Sequence, residues 1–437
     1  MLDGPLIAGW QCAVCGASVD IARPFTWRCP NSSDSDRHHA MQLVQGITPL
    51  RSTGESNPFL AFRRYLAVDA FMAAHRLTEG ARAAMVGELD ALVAAVDGTG
   101  FVTTPFERAD ELSDALGFGV DGGVWVKDET HNVAGSHKAR HLFTILLHLR
   151  AAEQLGLAPW ASQVERPPLA IASCGNAALA AATLAAAVDW PIRVFVPPSA
   201  NLHVTKSLGE LGAELVSCPR LPSDKPGDPC VHRFREAVAG GAVPFSVQGP
   251  ENAWCLDGGR TIGWEMARQT DEQVDGPSFD RLFVQVGGGA FAASIAAGFR
   301  MSGMTPRLHA VQTDSCAPLA RAWQQSLALG GAQQAAHHWG ECMWPWEHVG
   351  ASAADGILDD ETYDWLPVLG AMGASHGSTV VATEAQVLEA NEVGCRTTGI
   401  DASHTGTAGL AGLLAIRGEV GADERVALVF SGVRRAG

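Results

Sequence analysis

One lysine of this 437-residue chain sits where an amine can become a nucleophile. Lys138 lies near the end of the run Lys127-Asp128-Glu129-Thr130-His131-Asn132-Val133-Ala134-Gly135-Ser136-His137-Lys138-Ala139-Arg140, which reads as a strand, a glycine-containing loop and a helix start. The helix dipole there disfavours a cation and partial burial adds to that, so the amine loses its proton more readily than a surface lysine. A neutral lysine can form an imine with an aldehyde cofactor and, once released by a substrate amine, act as a base on carbon. Taken alone, a lysine is more often a solvated surface group. Three other segments change that balance. Ala172-Ser173-Cys174-Gly175-Asn176-Ala177 joins an apolar strand to an alanine-rich helix; its N–H groups suit a carboxylate, and Asn176 can hydrogen-bond a phenolic oxygen. Val286-Gly287-Gly288-Gly289-Ala290 follows a strand and opens a helix, so its backbone can wrap a phosphate. Its spacing matches neither the P-loop nor the dinucleotide fingerprint, which disfavours a nucleotide. Phe430-Ser431-Gly432 ends the last apolar strand, where a hydroxyl can reach a ring nitrogen in a cleft.

A second group of residues could hold metal. Cys12 and Cys15 can grip one tetrahedral ion from a tight turn, Cys29 adds a third ligand, and the fourth falls to His38 or His39. The expected set is Cys12, Cys15, Cys29 and His39 around a structural zinc, or else a ribbon that has lost its metal and kept its shape.

The elements that must position these groups fall into three stretches. Residues 1–45 form the cysteine knuckle. Residues 46–100 form a helical extension, in which Phe59, Phe62, Tyr65, Leu66, Val68 and Phe71 recur mostly at helical steps and predict a packing layer or lid. Residues 101–437 form an α/β region in which short apolar runs alternate with alanine-rich helical patterns: 124–127, 169–172, 192–196, 214–218, 282–286, 308–312, 380–382 and 426–430. That alternation predicts parallel sheets with helices on both faces, in two lobes with the active site between them.

Composition narrows the partners. Hydrophobic residues make up 47% of the chain and charged ones 18%, which is enough apolar surface for a large core. The net charge of −16 opposes phosphate backbones, so no nucleic-acid or anionic-membrane partner is expected and a small organic substrate is. No span or leader pattern stands out, which predicts a cytoplasmic protein whose ten cysteines are core thiols or metal ligands.

Taken in order, Gly135-Ser136-His137-Lys138-Ala139-Arg140, Ser173-Cys174-Gly175-Asn176, Gly287-Gly288-Gly289 and Phe430-Ser431-Gly432 resemble the four signature elements of fold-type II pyridoxal-phosphate enzymes, the tryptophan synthase β superfamily. The resemblance spans about residues 100–437. A threonine-synthase likeness extends it upstream through the knuckle and Asn57-Pro58-Phe59-Leu60, and reappears in Gly258-Gly259-Arg260-Thr261-Ile262-Gly263-Trp264-Glu265. It implies a tryptophan synthase β-like fold with two three-layer lobes, and pyridoxal 5'-phosphate as cofactor. Lys138 would be the Schiff-base lysine, with Asn176 on the ring oxygen, Gly287, Gly288, Gly289 and Ala290 on the phosphate, and Ser431 at the ring nitrogen. His137 matches the tryptophan synthase β pattern, in which the imidazole helps hold the phosphate. Ser173, Cys174, Gly175 and Ala177 would bind the substrate carboxylate, and Ser136 would assist proton transfer at the leaving group. Ala139 stands where threonine synthases usually carry aspartate, as in the serine/threonine dehydratases. The implied activity is β-elimination from a β-hydroxy or β-substituted amino acid by a homodimer. The alternatives are threonine synthase-like or other β/γ-replacement chemistry, and a non-catalytic cofactor-binding paralogue.

Overall fold

The computed structural model describes residues 6–46, 49–273 and 279–435. Strands β1 (Ile7–Cys12), β2 (Ser18–Asp20) and β3 (Met41–Gln45) form a small antiparallel sheet in the order β2-β1-β3. Cys29 lies in the irregular stretch between β2 and β3, where short-range turns stand in for a ladder.

The helical extension is a packing layer. Phe59, Phe62, Tyr65, Leu66, Val68 and Phe71 are all buried. Phe59, Phe101 and Phe143 form a mutual triad with ring centroids 4.5–4.9 Å apart, tying this layer to the helix that begins at Lys138. Full burial of each such ring contributes about 1.5–3 kcal/mol, so the layer is anchored firmly to that helix.

The α/β region holds two sheets. The first contains β4 (Phe106–Arg108), β5 (Gly123–Asp128), β10 (Arg281–Gln285), β11 (Arg307–Thr313), β12 (Ser378–Ala382) and β13 (Arg425–Phe430), in the order β12-β11-β10-β13-β5-β4. The second contains β6 (Leu169–Ala172), β7 (Ile192–Val196), β8 (Glu214–Ser217) and β9 (Val243–Pro244), in the order β8-β7-β6-β9. The pairings are parallel, as the alternating pattern predicts, with one exception: β4 runs antiparallel to β5 at an edge. Three residues bounded by Pro105 carry too little periodicity to announce that strand. β5 and β10 are buried at every residue, including the polar Lys127, Asp128, Arg281 and Gln285 at their ends.

Register brings the chemistry together. Phe430 pairs with Asp128, so β5 and β13 end side by side and deliver Ser431 next to the loop that leads to Lys138. β10 pairs with β13 on its other side and ends just before Gly287. The lysine helix (Lys138–Gln154) then runs between the two sheets, gripped by the helix Cys255–Gln273. Glycines make that grip close: a Cβ on Gly258 would overlap the Arg140 carbonyl, one on Gly259 the His141 ring, and one on Gly263 the Ile295 carbonyl of the next helix, Ala290–Met301.

Candidate active site

Lys138 is the first residue of its helix. Burial lowers its pKa below the usual lysine range, although Asp359, the Cys255 thiol and Asp364 pull in the opposite direction. His137, just before it, stacks on Phe291 with centroids 3.7 Å apart and planes 17° from parallel. Burial, reinforced by the nearby Lys138 charge, holds the His137 imidazole neutral, well below its ordinary pKa.

Ser431 does not open onto an empty cleft; its hydroxyl belongs to His137. The oxygen accepts the His137 backbone N–H at 3.1 Å and lies 2.6 Å from the ring Nδ1. Both contacts are satisfied when the Ser431 O–H donates to Nδ1, which leaves the ring proton on Nε2. That Nε2 and the Ser136 hydroxyl are buried without a protein partner. Two orphaned polar groups beside a buried lysine of lowered pKa suit a polar ligand.

Gly287, Gly288 and Gly289 follow β10, and Ala290 opens the next helix. Gly289 is in the left-handed region at φ 96°. A side chain there would press on Thr362 and Asp364, one on Gly288 would meet the Tyr363 ring, and one on Gly287 would overlap the Asp359 carboxylate. The Asp359 carboxylate lies against this turn, and the Gly288 carbonyl accepts the Asp364 N–H at 2.7 Å. A glycine turn that opens a helix can receive an anion on its backbone N–H groups, and here an acidic side chain of the chain itself lies beside it. Burial raises both Asp359 and Asp364 to about 7, with Lys138 working against the rise in each.

On the facing sheet, Gly175 caps the helix Asn176–Ala187, and Ser173, Cys174 and Ala177 surround that helix start. Arg435 donates to the Asn176 Oδ1 and, at 2.7 Å, to the Ala134 carbonyl. Fixing Oδ1 this way leaves the Asn176 Nδ2 as the donor available to a ring oxygen. The Cys174 thiol is exposed.

Behind the lysine lies a fully buried ion cluster. The Arg140 guanidinium spans Glu129, at 2.9 Å from each of its oxygens, and Glu265, and also donates to Thr261 at 3.1 Å. Lys127 donates to the same Glu265 at 2.6 Å and to the Thr104 carbonyl. Burial pushes the Glu265 carboxyl up, but Arg140 and Lys127 outweigh it and hold the group ionised. Sequence reasoning named neither this cluster nor Asp359, Asp364, Cys255 and Phe291. The cluster's charged members fall in the runs Lys127–Arg140 and Gly258–Glu265, but neither run announces the pairing between them.

The knuckle cysteines also converge. Donor atoms of Cys12, Cys15, Cys29 and His39 all lie within 4.8 Å of one another, a spacing that suits a tetrahedral ion. His38 is committed elsewhere: its Nδ1 accepts the Trp365 indole N–H at 3.1 Å and its ring stacks on Trp339.

A buried lysine of lowered pKa, a glycine turn and a helix-start loop, all at the ends of parallel strands, are the arrangement of an α/β enzyme that works through a cofactor. The chain belongs to the pyridoxal-phosphate dependent enzyme family, whose model matches residues 99–432. Among solved structures, the processed form of threonine deaminase isoform 2 from Solanum lycopersicum superimposes with a TM-score of 0.58 at 17% identity, covering 82% of this chain and 86% of that one. Maize serine racemase gives 0.58 at 15% identity, with 80% and 94% covered. Diaminopropionate ammonia lyase from Escherichia coli gives 0.60 at 16% identity, with 80% and 88% covered. These likenesses establish the tryptophan synthase β-like fold. Among curated proteins no sequence matches. No helix among the described residues is long and apolar enough to cross a membrane.

Proposed function

We propose that this enzyme is a lyase that eliminates the β-substituent of a β-hydroxy or β-substituted amino acid, with release of ammonia and a 2-oxo acid. The observation that carries this reading is that the strand β13 leads into Ser431, a buried hydroxyl rather than a carboxylate, beside the lysine loop. When bound, pyridoxal phosphate supplies the electron sink for charge developing at the substrate Cα. A carboxylate at the Ser431 position would hold a proton on the ring nitrogen and deepen that sink; a hydroxyl does not, which favours loss of a β-substituent over amino-group transfer.

The remaining roles are proposed from the family resemblance, and the geometry is compatible with them. Lys138 attaches the cofactor, and its Nζ removes the α-proton. The N–H groups of Gly287, Gly288, Gly289 and Ala290, with His137 Nε2, hold the phosphate. Asn176 Nδ2 donates to the ring oxygen, and the amides of Ser173, Cys174, Gly175 and Ala177 take the substrate carboxylate. The unpartnered Ser136 hydroxyl is placed to deliver a proton to the leaving group. Two of the structural neighbours named above are a threonine deaminase and an ammonia lyase, which agrees with this chemistry.

A replacement enzyme is the second reading, favoured by the cysteine knuckle and the glycine-lined helix that carry the threonine-synthase likeness. The assay that separates them offers the holoenzyme serine, threonine and their O-acyl and phospho derivatives, with and without an added thiol or amine. Release of 2-oxo acid without an added nucleophile is the expected result. Turnover only when the nucleophile is present would reject elimination in favour of replacement, and no spectral change with any amino acid would point to a non-catalytic paralogue.

Cys12, Cys15, Cys29 and His39 are proposed as a structural zinc site. Purified protein should contain about one zinc per chain, and Cys29→Ser should abolish it and lower the melting temperature, because structural zinc contributes directly to folding. Metal-free protein whose melting temperature is unmoved by Cys29→Ser would show that the knuckle holds itself together without an ion.

A further inference from the structure

The Asp359 carboxylate lies against the Gly287–Gly288 turn, whose N–H groups are those proposed for the cofactor phosphate, and it faces the Lys138 amine. It presses so closely on Gly287 that no side chain fits there. The segment that delivers it is pinned rather than loose: the Asp364 N–H reaches the Gly288 carbonyl at 2.7 Å, and the Asp364 carboxylate accepts the Gly249 N–H at 2.9 Å. The backbone of Asp359 itself is held as well, its carbonyl accepting the Cys316 thiol at 3.2 Å. Resting on the assignment of this site to pyridoxal phosphate, we propose that Asp359 is an internal anion that competes with the cofactor phosphate for the glycine cradle, and so sets how tightly the enzyme binds its cofactor.

Two like charges cannot share one cradle cheaply: at a few ångströms their repulsion is substantial even at an effective dielectric near 20. Replacing Asp359 by asparagine removes the charge and keeps the size. The titratable groups that face Asp359 are Lys138, Asp360, Asp228, Tyr363, Cys316 and Cys174. Loss of the carboxylate also favours the neutral Lys138 amine, which would help any aldehyde to bind. A phosphate-free aldehyde is therefore the necessary control.

The experiment uses the full-length chain stripped of cofactor and measures equilibrium binding of pyridoxal phosphate, pyridoxal and inorganic phosphate to the wild type and to D359N. D359N is expected to bind pyridoxal phosphate at least about tenfold more tightly, to gain less for pyridoxal, and to gain affinity for inorganic phosphate. The advantage of D359N should shrink as the pH falls below about 7, where the wild-type carboxyl takes up its proton. Equal gains for pyridoxal phosphate and pyridoxal, or no gain for either, would overturn the proposal while leaving the cofactor assignment standing. Failure of both proteins to bind pyridoxal phosphate at all would overturn the two together.

Discussion

Replacing Lys138 with alanine is expected to cut turnover by about 10³-fold or more, since proton transfer by a positioned side chain alone contributes about 10²–10⁴-fold and covalent attachment of the cofactor is lost as well. The fold should survive. The carboxylates that lose their cationic neighbour, Asp359 and Asp364, already sit near 7, so each can take up a proton instead of remaining an unpaired buried charge. The check is turnover of the reconstituted variant beside its circular dichroism, together with borohydride reduction of wild type and variant followed by peptide mapping. In the wild type the cofactor should be fixed on the peptide that contains Lys138. A variant that keeps a tenth of the activity, or cofactor fixed on another peptide, would refute the assignment.

Arg140→Met is expected to cost about 3–5 kcal/mol of stability, the usual result of stripping one partner from a buried ion pair. Its guanidinium bridges two carboxylates that have no other route to solvent, and Lys127 can neutralise only Glu265. Glu129 would be left with Thr104 and Asn132 as hydrogen-bond partners but no cation. Typical domains are stable by only about 5–15 kcal/mol, so the loss is a large share of the whole. It would be read from the urea midpoint at unchanged slope. A shift worth less than about 1 kcal/mol would mean that Glu129 and Glu265 share a proton or reach water, contrary to the burial described above.

Much of this molecule could be read from its residues because the informative segments are local. The glycine turn after β10, the helix start at Lys138 and the serine after β13 each combine a strand end, a loop and a helix or chain end within a few positions, so periodicity and residue type suffice to place them. The apolar runs at 169–172 and 192–196 match their strands residue for residue. Long-range pairing left no such trace. Lys127 and Glu265 meet across 138 positions, and Asp359 reaches Gly288 from a stretch with no repeating pattern. Ser431 shows a third kind of gap: its position at a strand end was readable, but its engagement with His137 depends on two strands ending level, which only the register of β5 and β13 reveals. The fourth knuckle ligand was narrowed only to neighbouring histidines, and the partner that occupies His38, Trp365, is more than three hundred residues away.

The crossing of the lysine helix over Cys255–Gln273 has a consequence for how this enzyme could acquire a new substrate. With the Arg140 backbone against Gly258 and the His141 ring against Gly259, that joint has no room for a larger residue at either position. Evolution, or a protein engineer, therefore has no room to retune selectivity from beneath the lysine. Changes of preference have to be written into the segments the joint merely supports, the Ser173–Ala177 rim and the stretch leading to Asp364, where substitutions leave the trunk undisturbed.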